Sequence, residues 1–128
     1  MKAILLDTHT AIWFFNGSSS LSETAKQAIL DPGHQVNVSI VSVWELVVKI
    51  NVGKLKFSKG AAGFLDLINR NGFRRLDIAP EHLLELERLP LYHRDPFDRI
   101  LIATAISEGM DFITVDENMP QYPLQCVW

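Results

Sequence analysis

The sequence predicts an α/β domain, in which helices cover both faces of a central, mostly parallel sheet of four to five short strands. Short apolar segments alternate along the chain with longer segments of helical character. This alternation is typical of parallel sheets, because each connection between parallel strands has to cross over the sheet. Residues 1–128 contain no repeat or linker, and a chain of this length is expected to form one domain.

Five segments have the composition of strands, since apolar and β-branched residues predominate in them and turn-forming residues flank them. The last segment follows two prolines, which favours a position at an edge of the sheet. The predicted strands lie at about 2–6, 36–39, 73–78, 112–114 and 124–127.

Start and stop signals define six helices between these strands. Ser22 is placed to cap the second helix, and Pro80 suits the first turn of the fifth. Gly17 and Gly109 are favourable helix ends, because glycine readily adopts the left-handed conformation that follows many helices. The predicted helices lie at about 8–15, 23–30, 40–51, 59–70, 80–88 and 95–108.

The charge of the chain is unevenly distributed. The formal net charge is -3, yet residues 49–75 contain seven basic side chains and one acidic side chain. A basic stretch in an otherwise acidic chain can bind a polyanion while carboxylates elsewhere bind a metal ion. A solvated helical face and loop would explain the same charges equally well.

The composition indicates a protein of the cytoplasm. The single cysteine, Cys126, cannot form an internal disulfide, which fits a reducing compartment. Asp7 interrupts the apolar run at the start of the chain, so no signal peptide is predicted. No apolar segment approaches the roughly 20 residues that a membrane-spanning helix needs, and no membrane association is expected.

Four acidic positions are expected to meet at one edge of the sheet. Asp7 follows the first strand, Asp116 follows the fourth, Glu45 lies in the third helix, and the pair Asp95/Asp98 begins the sixth. Ligands of open parallel sheets bind outside the carboxyl ends of the strands. Carboxylates that converge there offer the hard oxygen ligands that Mg²⁺ and Mn²⁺ prefer. Such a site suggests metal-assisted cleavage of a phosphodiester.

Two of these acids also have a structural interpretation as helix caps. Asp7 can cap the helix that follows it, and Ser42-x-x-Glu45 matches a capping box. If the third helix starts near Ser39 or Ile40, however, Glu45 lies mid-helix within an apolar run. The surroundings then provide no structural reason for an acid, which favours a functional role.

The segment from His93 to Arg99 is the densest polar cluster. Asp95 fits an N-cap before Pro96, and Asp98 in the first helical turn gains from the helix dipole. The same helix N-terminus would also favour a metal-bound phosphate. Arg99 is placed either to contact phosphate or to pair with an acid.

Thr114-x-Asp116 follows the fourth strand. Thr114 is placed to donate a hydrogen bond that orients a carboxylate or a water molecule, whereas Asp116-Glu117-Asn118 also suits a turn.

The four histidines carry less information. His34 and His82 are expected at the surface. His9 and His93 lie near the motifs, but the histidines do not have the spacing of a zinc site.

Four segments together resemble the PIN domain, and more closely the VapC-type toxins of bacterial toxin–antitoxin pairs. The Asp-Pro-Phe-Asp-Arg block is the most specific of them, and the resemblance covers nearly the whole chain in the right order. The segments are Leu5-Leu6-Asp7-Thr8-His9, Ser42-Val43-Trp44-Glu45-Leu46 with Lys49 and Gly53-Lys54-Leu55, the run from His93 to Ala103, and Thr114-x-Asp116.

The resemblance implies a three-layer α/β/α sandwich and a Mg²⁺- or Mn²⁺-dependent endoribonuclease. The catalytic acids of the family correspond to Asp7, Glu45, Asp98 and Asp116, of which Asp7, Asp98 and Asp116 would bind the metal. Asp95, one helical turn before Asp98, is the alternative for the third acidic ligand; Asp98 is favoured, and Asp95 is then expected to be a cap or a support for the ligands. Such toxins typically dimerise and are blocked by a cognate antitoxin, so a homodimer, an antitoxin and an RNA substrate (tRNA or rRNA) are expected.

In this interpretation Glu45 is the candidate that accepts the proton of the attacking water. Other side chains would contact the RNA backbone, which positions the substrate without reading its sequence. The candidates for these contacts are Lys49, Lys54 and Arg99. The candidates for dimer and antitoxin contacts are Trp13, Phe14, Phe15 and Trp44.

Other functional classes fit the sequence less well. A phosphatase of the haloacid-dehalogenase type would have a second Asp two residues after Asp7, where His9 stands. A receiver domain would have a lysine late in the chain, yet the last lysine is Lys59. A non-catalytic PIN-like domain that binds RNA or protein has the same sequence features, and only an assay of turnover separates it from the nuclease.

Overall fold

A parallel five-stranded sheet forms the centre of the computed structural model, which describes residues 1–116 and 121–128. Its strands follow the order β3-β2-β1-β4-β5, so β1 is central and the order reverses between β1 and β4. Every pairing between described strands is parallel, which confirms the predicted sheet. The strands are β1 (Lys2–Leu6), β2 (His34–Ser39), β3 (Arg74–Leu76), β4 (Asp111–Ile113) and β5 (Cys126–Val127).

Six helices of the described chain cover the two faces of this sheet. The first four pack mainly on one face and the last two on the other, although Val41 at the start of the third helix reaches the second core; this confirms the three-layer sandwich. Within residues 1–116 and 121–128, no helix has the length and apolar character needed to cross a membrane. The helices are α1 (Thr8–Asn16), α2 (Glu23–Leu30), α3 (Ile40–Asn51), α4 (Gly60–Arg70), α5 (Pro80–Arg88) and α6 (Pro96–Glu108).

The central strand β1 divides its side chains between two hydrophobic cores. Ile4 and Leu6 pack in the core beneath α1 to α4, together with Phe64. Leu5 packs in the opposite core with Leu101 of α6. Successive side chains of a strand point to opposite faces, so a strand between two helical layers is apolar at every position. This is the physical reason for the continuous apolar run before Asp7.

Three helix caps place the predicted acids. The carboxylates of Asp7 and Asp95 accept backbone N–H groups at the start of α1 and α6, as their cap interpretation predicts. Ser39 caps α3, so the alternative in which Ser42 and Glu45 form a capping box is wrong. Because α3 begins at residue 40, Glu45 lies mid-helix on a buried face.

The strand boundaries differ slightly from those predicted, because pairing between strands decides where a strand begins. β2 starts at His34 rather than at residue 36, since its register with β1 extends to the pair Lys2–His34. β3 is limited to Arg74–Leu76, the three residues that pair with β2. Of the turn predicted after Asp116, residues 117 and 118 lie outside the described residues.

His82 is buried, and its predicted surface position is therefore wrong. Its Nδ1 accepts the backbone N–H of Ala79 at 3.0 Å, and its Nε2 lies 3.1 Å from a carboxylate oxygen of Glu108 in α6. Since Nδ1 accepts, the neutral ring carries its proton on Nε2 and donates it to Glu108. The imidazole thereby caps α5 and links it to α6, a contact that local sequence cannot predict.

We expect His82→Ala to destabilise the protein by about 1–3 kcal/mol, because it leaves a helix-cap N–H and the Glu108 carboxylate without this partner. Leu83→Ala is the matched control on the same helix. Leu83 is exposed, and its truncation should change the free energy of unfolding by about 0.5 kcal/mol or less. Urea unfolding of both variants measures the difference. Equal stability of the two variants would contradict the capping role.

Candidate metal-binding active site

The structure brings the four predicted acids together in one pocket of about 350 Å³. The pocket lies at the carboxyl ends of β1 and β4, where the strand order reverses. This is the position at which open parallel sheets bind their ligands. The lining residues are Asp7, His9, Trp13, Glu45, Lys49, Asp98, Val115 and Asp116.

Asp7 is both a helix cap and a wall of the pocket. One carboxylate oxygen accepts the backbone N–H of Thr8 at 2.7 Å, and the other accepts the hydroxyl of Thr114 at 2.7 Å. Burial raises the pKa of Asp7, although these two hydrogen bonds act in the opposite direction. The two interpretations of Asp7 are therefore compatible, since one oxygen serves the helix and the other is oriented by Thr114.

Glu45 is held by a chain of hydroxyl groups and by one lysine. The Thr8 hydroxyl donates to Oε1 of Glu45 at 2.7 Å, so the Ser42 hydroxyl, 2.8 Å from that of Thr8, has to donate to Thr8. Lys49 donates to Oε2. Burial alone would lower the pKa of Lys49, but the hydrogen bond and charge of Glu45 raise it. Lys54, by contrast, is exposed and does not line the pocket.

His93 connects two of the acids. Its Nε2 lies 2.9 Å from Asp116 Oδ2 and 3.2 Å from Asp98 Oδ2. Its Nδ1 accepts the backbone N–H of Asp95 at 3.2 Å, so the neutral ring carries the proton on Nε2 and donates it to the carboxylates. Potential ligand atoms of His93, Asp98 and Asp116 lie within 4.8 Å of one another. Sequence reasoning left His93 out, although its place beside the Asp95 cap was an available signal.

The ionised form of Asp98 is disfavoured in the folded protein. Burial, together with the negative charges of Asp7, Asp95 and Glu45, raises the pKa of Asp98 to about 7. The positive charge that His93 can carry acts in the opposite direction. When a cation binds next to such a carboxylate, its positive charge stabilises the ionised form.

Arg99 holds the segment that carries His93. Its guanidinium donates to the backbone carbonyls of Leu89, Pro90 and His93 at 3.0–3.2 Å. The Tyr122 hydroxyl accepts the backbone N–H of His93 and donates to the carbonyl of Pro90. The structure therefore places Arg99 beneath the site as a support for residues 89–93, and not in the pocket lining.

The predicted contact aromatics have different environments. Phe14 and Phe15 pack against the core, whereas Trp13 lines the pocket. Trp44 is 58% exposed on α3, and its ring meets that of Phe97 edge to face at a centroid distance of 4.8 Å. Among the predicted contact residues, Trp44 is the one whose side chain is largely exposed, whereas its neighbour Phe97 is half-buried against the core beneath α5 and α6.

The thiol of Cys126 is not a nucleophile at neutral pH. Burial, followed by the nearby negative charges of Asp116 and Asp111, raises its pKa to about 11. The thiol therefore stays protonated, and the thiolate is the nucleophilic form.

The fold and the pocket together define a class, namely parallel α/β domains that assemble carboxylates at the switch point of the sheet. Comparison with known families identifies the member of that class. The profile of the PIN domain matches residues 4–124 of the chain. The chain belongs to the PIN domain family.

One relative is similar to the chain in sequence, and two solved structures are similar to it in fold. Ribonuclease VapC22 of Mycobacterium tuberculosis (strain ATCC 25618 / H37Rv) is 28% identical over 120 residues, covering 93% of this chain and 91% of the relative. The structure of VapBC2 from Rickettsia felis, bound to a DNA fragment from their promoter, matches with a TM-score of 0.71 at 16% identity, covering 97% and 96% of the chains. VapC20 of Mycobacterium tuberculosis, a Sarcin-Ricin loop cleaving toxin, matches with a TM-score of 0.67 at 15% identity, covering 94% and 95%.

Asp98 makes the stability of the metal-free protein depend on pH. Its pKa is about 7 in the folded state, compared with an ordinary value of 3.8, so the folded protein binds more protons than the unfolded chain between these values. The stabilisation is complete below the lower value and is lost as the pH rises through the upper one. With chelator present, we expect the melting temperature to fall between about pH 4 and about pH 7, and Asp98 to contribute little further change at higher pH.

Asp98→Asn should reduce this fall in melting temperature, because an amide does not ionise. The variant should also melt as high as the parent or higher at the upper pH, since one of several like charges is removed. Asp66→Asn is the control, because Asp66 is an exposed acid on α4 paired with Arg70. The assignment is wrong if Asp98→Asn retains the full pH dependence of the parent.

Proposed function

We propose that the protein is a divalent-metal-dependent endoribonuclease that cleaves RNA phosphodiester bonds by hydrolysis. The observation that carries this proposal is the convergence of Asp7, Glu45, Asp98 and Asp116 in one pocket at the switch point of the sheet. The similarity to Ribonuclease VapC22 supports RNA as the substrate. The acids come from the β1–α1 junction, α3, α6 and the segment after β4. A set assembled from distant elements is typical of a functional site rather than of local capping.

The donor set fits a hard divalent cation. Asp7, Asp98 and Asp116 would hold Mg²⁺ or Mn²⁺ through carboxylate oxygens, the ligands that both ions accept. The raised pKa of Asp98 supports this fit, because a cation would relieve the unfavourable charge that burial and neighbouring acids cause. When bound, such an ion supplies activation of water and neutralisation of charge on the phosphate oxygens.

Glu45 is the residue that we assign to accept the proton of the attacking water. Thr8 and Lys49 each donate to one of its oxygens, so the carboxylate is held in a single orientation. Thr114 performs the same task for Asp7 and accepts the backbone N–H of Asp116 at 3.1 Å. These hydrogen bonds preorganise the acids, which reduces the reorganisation needed during the reaction.

Basic side chains would hold the RNA backbone beside the acids. Lys49 lines the pocket, and Lys54 is exposed in the segment that follows α3. Both belong to the basic stretch 49–75, whose charge attracts a polyanion towards an otherwise acidic protein. Arg99 would act indirectly, because its hydrogen bonds hold the 89–93 segment that carries His93.

We expect the purified protein, freed of any inhibitor, to cleave structured RNA such as tRNA or rRNA with Mg²⁺ or Mn²⁺ and to stop when chelator is added. Asp98→Asn should lower the cleavage rate by about 100-fold or more, because it removes a charged ligand. Gel analysis of end-labelled RNA measures both effects.

Asp95→Asn is the matched control, since it changes an acid one helical turn away and Asn caps a helix about as well as Asp. It should keep its fold and much of its activity. Equal cleavage in excess EDTA rules out the metal-dependent mechanism. A folded, inactive Asp95→Asn beside an active Asp98→Asn reverses the ligand assignment. Metal-independent RNA binding without turnover favours the alternative, a non-catalytic PIN-like RNA- or protein-binding domain.

We further propose that the protein is the toxin of a toxin–antitoxin pair in the cytoplasm and that it acts as a homodimer. Support comes from similar folds in VapBC complexes, in which the relative is paired with a partner. Trp44, which is exposed on α3 beside the half-buried Phe97, is the candidate surface for self-association. Aromatic side chains of this kind are enriched at protein interfaces.

Sedimentation of the free protein tests the dimer. We expect a dimer at roughly tens of micromolar, a range that matters because dimer stability depends on protomer concentration. Trp44→Glu should shift the distribution towards monomer, because it places a charge on an apolar contact surface. A strict monomer for the parent, or an unchanged dimer for the variant, contradicts the assignment of this surface.

A further inference from the structure

Three aromatic rings form a continuous row that starts in the acid pocket. His9 and Trp13 lie one helical turn apart on α1, with ring centroids 5.8 Å apart, and both line the pocket. Trp13 in turn contacts Trp128, which follows β5, again at 5.8 Å. The row therefore begins beside the carboxylates and continues away from them. Its members are His9, Trp13 and Trp128, and we refer to them as the aromatic row.

Trp13 differs from the aromatic residues that follow it on α1. The Phe14 and Phe15 rings contact Phe73, and both side chains pack against the core beneath α1 to α4. Trp13 belongs to neither core cluster among the described residues, and it remains partly exposed. Its ring is held at the rim of the pocket by its two aromatic neighbours. Trp13 is linked to the core through Trp128, which packs against it, while Trp13 itself lines the pocket.

The charges of the pocket restrict how RNA can be held next to it. Asp7, Glu45, Asp98 and Asp116 repel a phosphate backbone except where a cation lies between them. Part of the affinity close to the acids therefore has to come from groups without negative charge. Aromatic faces meet this need, because every nucleobase has a π-face that can stack on them.

We propose that the aromatic row is a stacking wall for unpaired nucleobases of single-stranded RNA, and that it places the strand beside the acid pocket. The proposal rests on the proposed nuclease function and adds the side chains that would hold the bases, since a base inside a duplex already stacks on its neighbours and cannot use the wall. Trp13 is the central member. His9 and Trp128 hold its ring in place and extend the wall in both directions.

The spacing of the rings indicates where a base lies. Insertion of a base between two rings needs a separation of roughly 7 Å, twice the rise of about 3.4 Å per stacked base. The rings are 5.8 Å apart and tilted by 49° and 59°, so they contact each other directly. A base that stacks on Trp13 would therefore use the part of the ring that its neighbours leave exposed, and would not enter between the rings.

Binding of a fluorescently labelled single-stranded RNA oligonucleotide, measured by anisotropy with EDTA present, tests the wall without cleavage. We expect Trp13→Leu to weaken binding by about 5- to 150-fold, the range for losing one stacked base. Trp13→Phe should restore much of the affinity, because it keeps an aromatic face. An abasic oligonucleotide of the same length should bind parent and Trp13→Leu equally, since it presents the same phosphates without bases.

Tyr92→Leu is the matched control, because Tyr92 is an exposed aromatic residue that does not line the pocket. It should bind the RNA like the parent. The wall is refuted if Trp13→Leu binds RNA like the parent; the row would then be a candidate contact for a protein partner. It is equally refuted if Trp13→Leu weakens binding of the abasic strand as much as binding of the normal strand. It is also refuted if Trp13→Phe behaves like Trp13→Leu.

Failure of the nuclease proposal gives a different result in the same experiments. If the parent protein binds single-stranded RNA through Trp13 but does not cleave it with metal, the result supports the wall and contradicts the nuclease proposal. If the parent protein cleaves RNA but binds the normal and abasic strands equally, the result supports the nuclease proposal and contradicts the wall.

Discussion

The electrostatic cost of bringing four carboxylates together at the carboxyl edge of the sheet governs much of this structure. Asp7 and Glu45 are almost fully buried. Burial and the negative charges of neighbouring acids raise the pKa of Asp98, so its ionised form is disfavoured. Buried acids are tolerated when hydrogen bonds or opposite charges compensate for the lost hydration. Individual side chains of the fold supply these hydrogen bonds and charges. The repulsion that remains between the carboxylates is the basis of the proposed affinity for a cation.

The compensation is divided between two sets of donors. On the α1–α3 side, hydroxyl groups and one lysine satisfy the acids: Thr8 bonds to Glu45, Thr114 to Asp7, and Lys49 to Glu45. On the α6 side, the imidazole of His93 donates to two carboxylates. Its position depends on the 89–93 segment that Arg99 supports, so the second set is held by a segment without regular secondary structure.

Different parts of the molecule provide stability and the charged pocket. The metal-free pocket retains charge repulsion around Asp98, which a protein selected for stability alone would remove. The parallel sheet and its two cores provide the stability that carries this cost. The PIN fold thus uses the switch point, where the strand order reverses beside β1, to concentrate charge that the cores could not accommodate.

Much of the site was predictable from the sequence, because its acids are tied to elements that local patterns reveal. An apolar run that ends in Asp7, a helix start at Asp95-Pro96, and an acid within the apolar run of α3 each follow from the period and capping rules. The parallel sheet followed from the alternation of elements. The Ser42 capping box failed because local sequence offered two possible starts for α3 and only packing selected one.

Tertiary structure alone decided the partners of the polar and aromatic side chains. His82 is buried against Glu108, His93 bridges two acids, Arg99 binds backbone carbonyls, and Trp13 meets Trp128. Each contact joins residues that are distant in sequence or depends on the path of an irregular segment. Sequence periodicity determines which face of a helix or strand is apolar, whereas the contacts of a single polar or aromatic side chain depend on which elements the fold places against it.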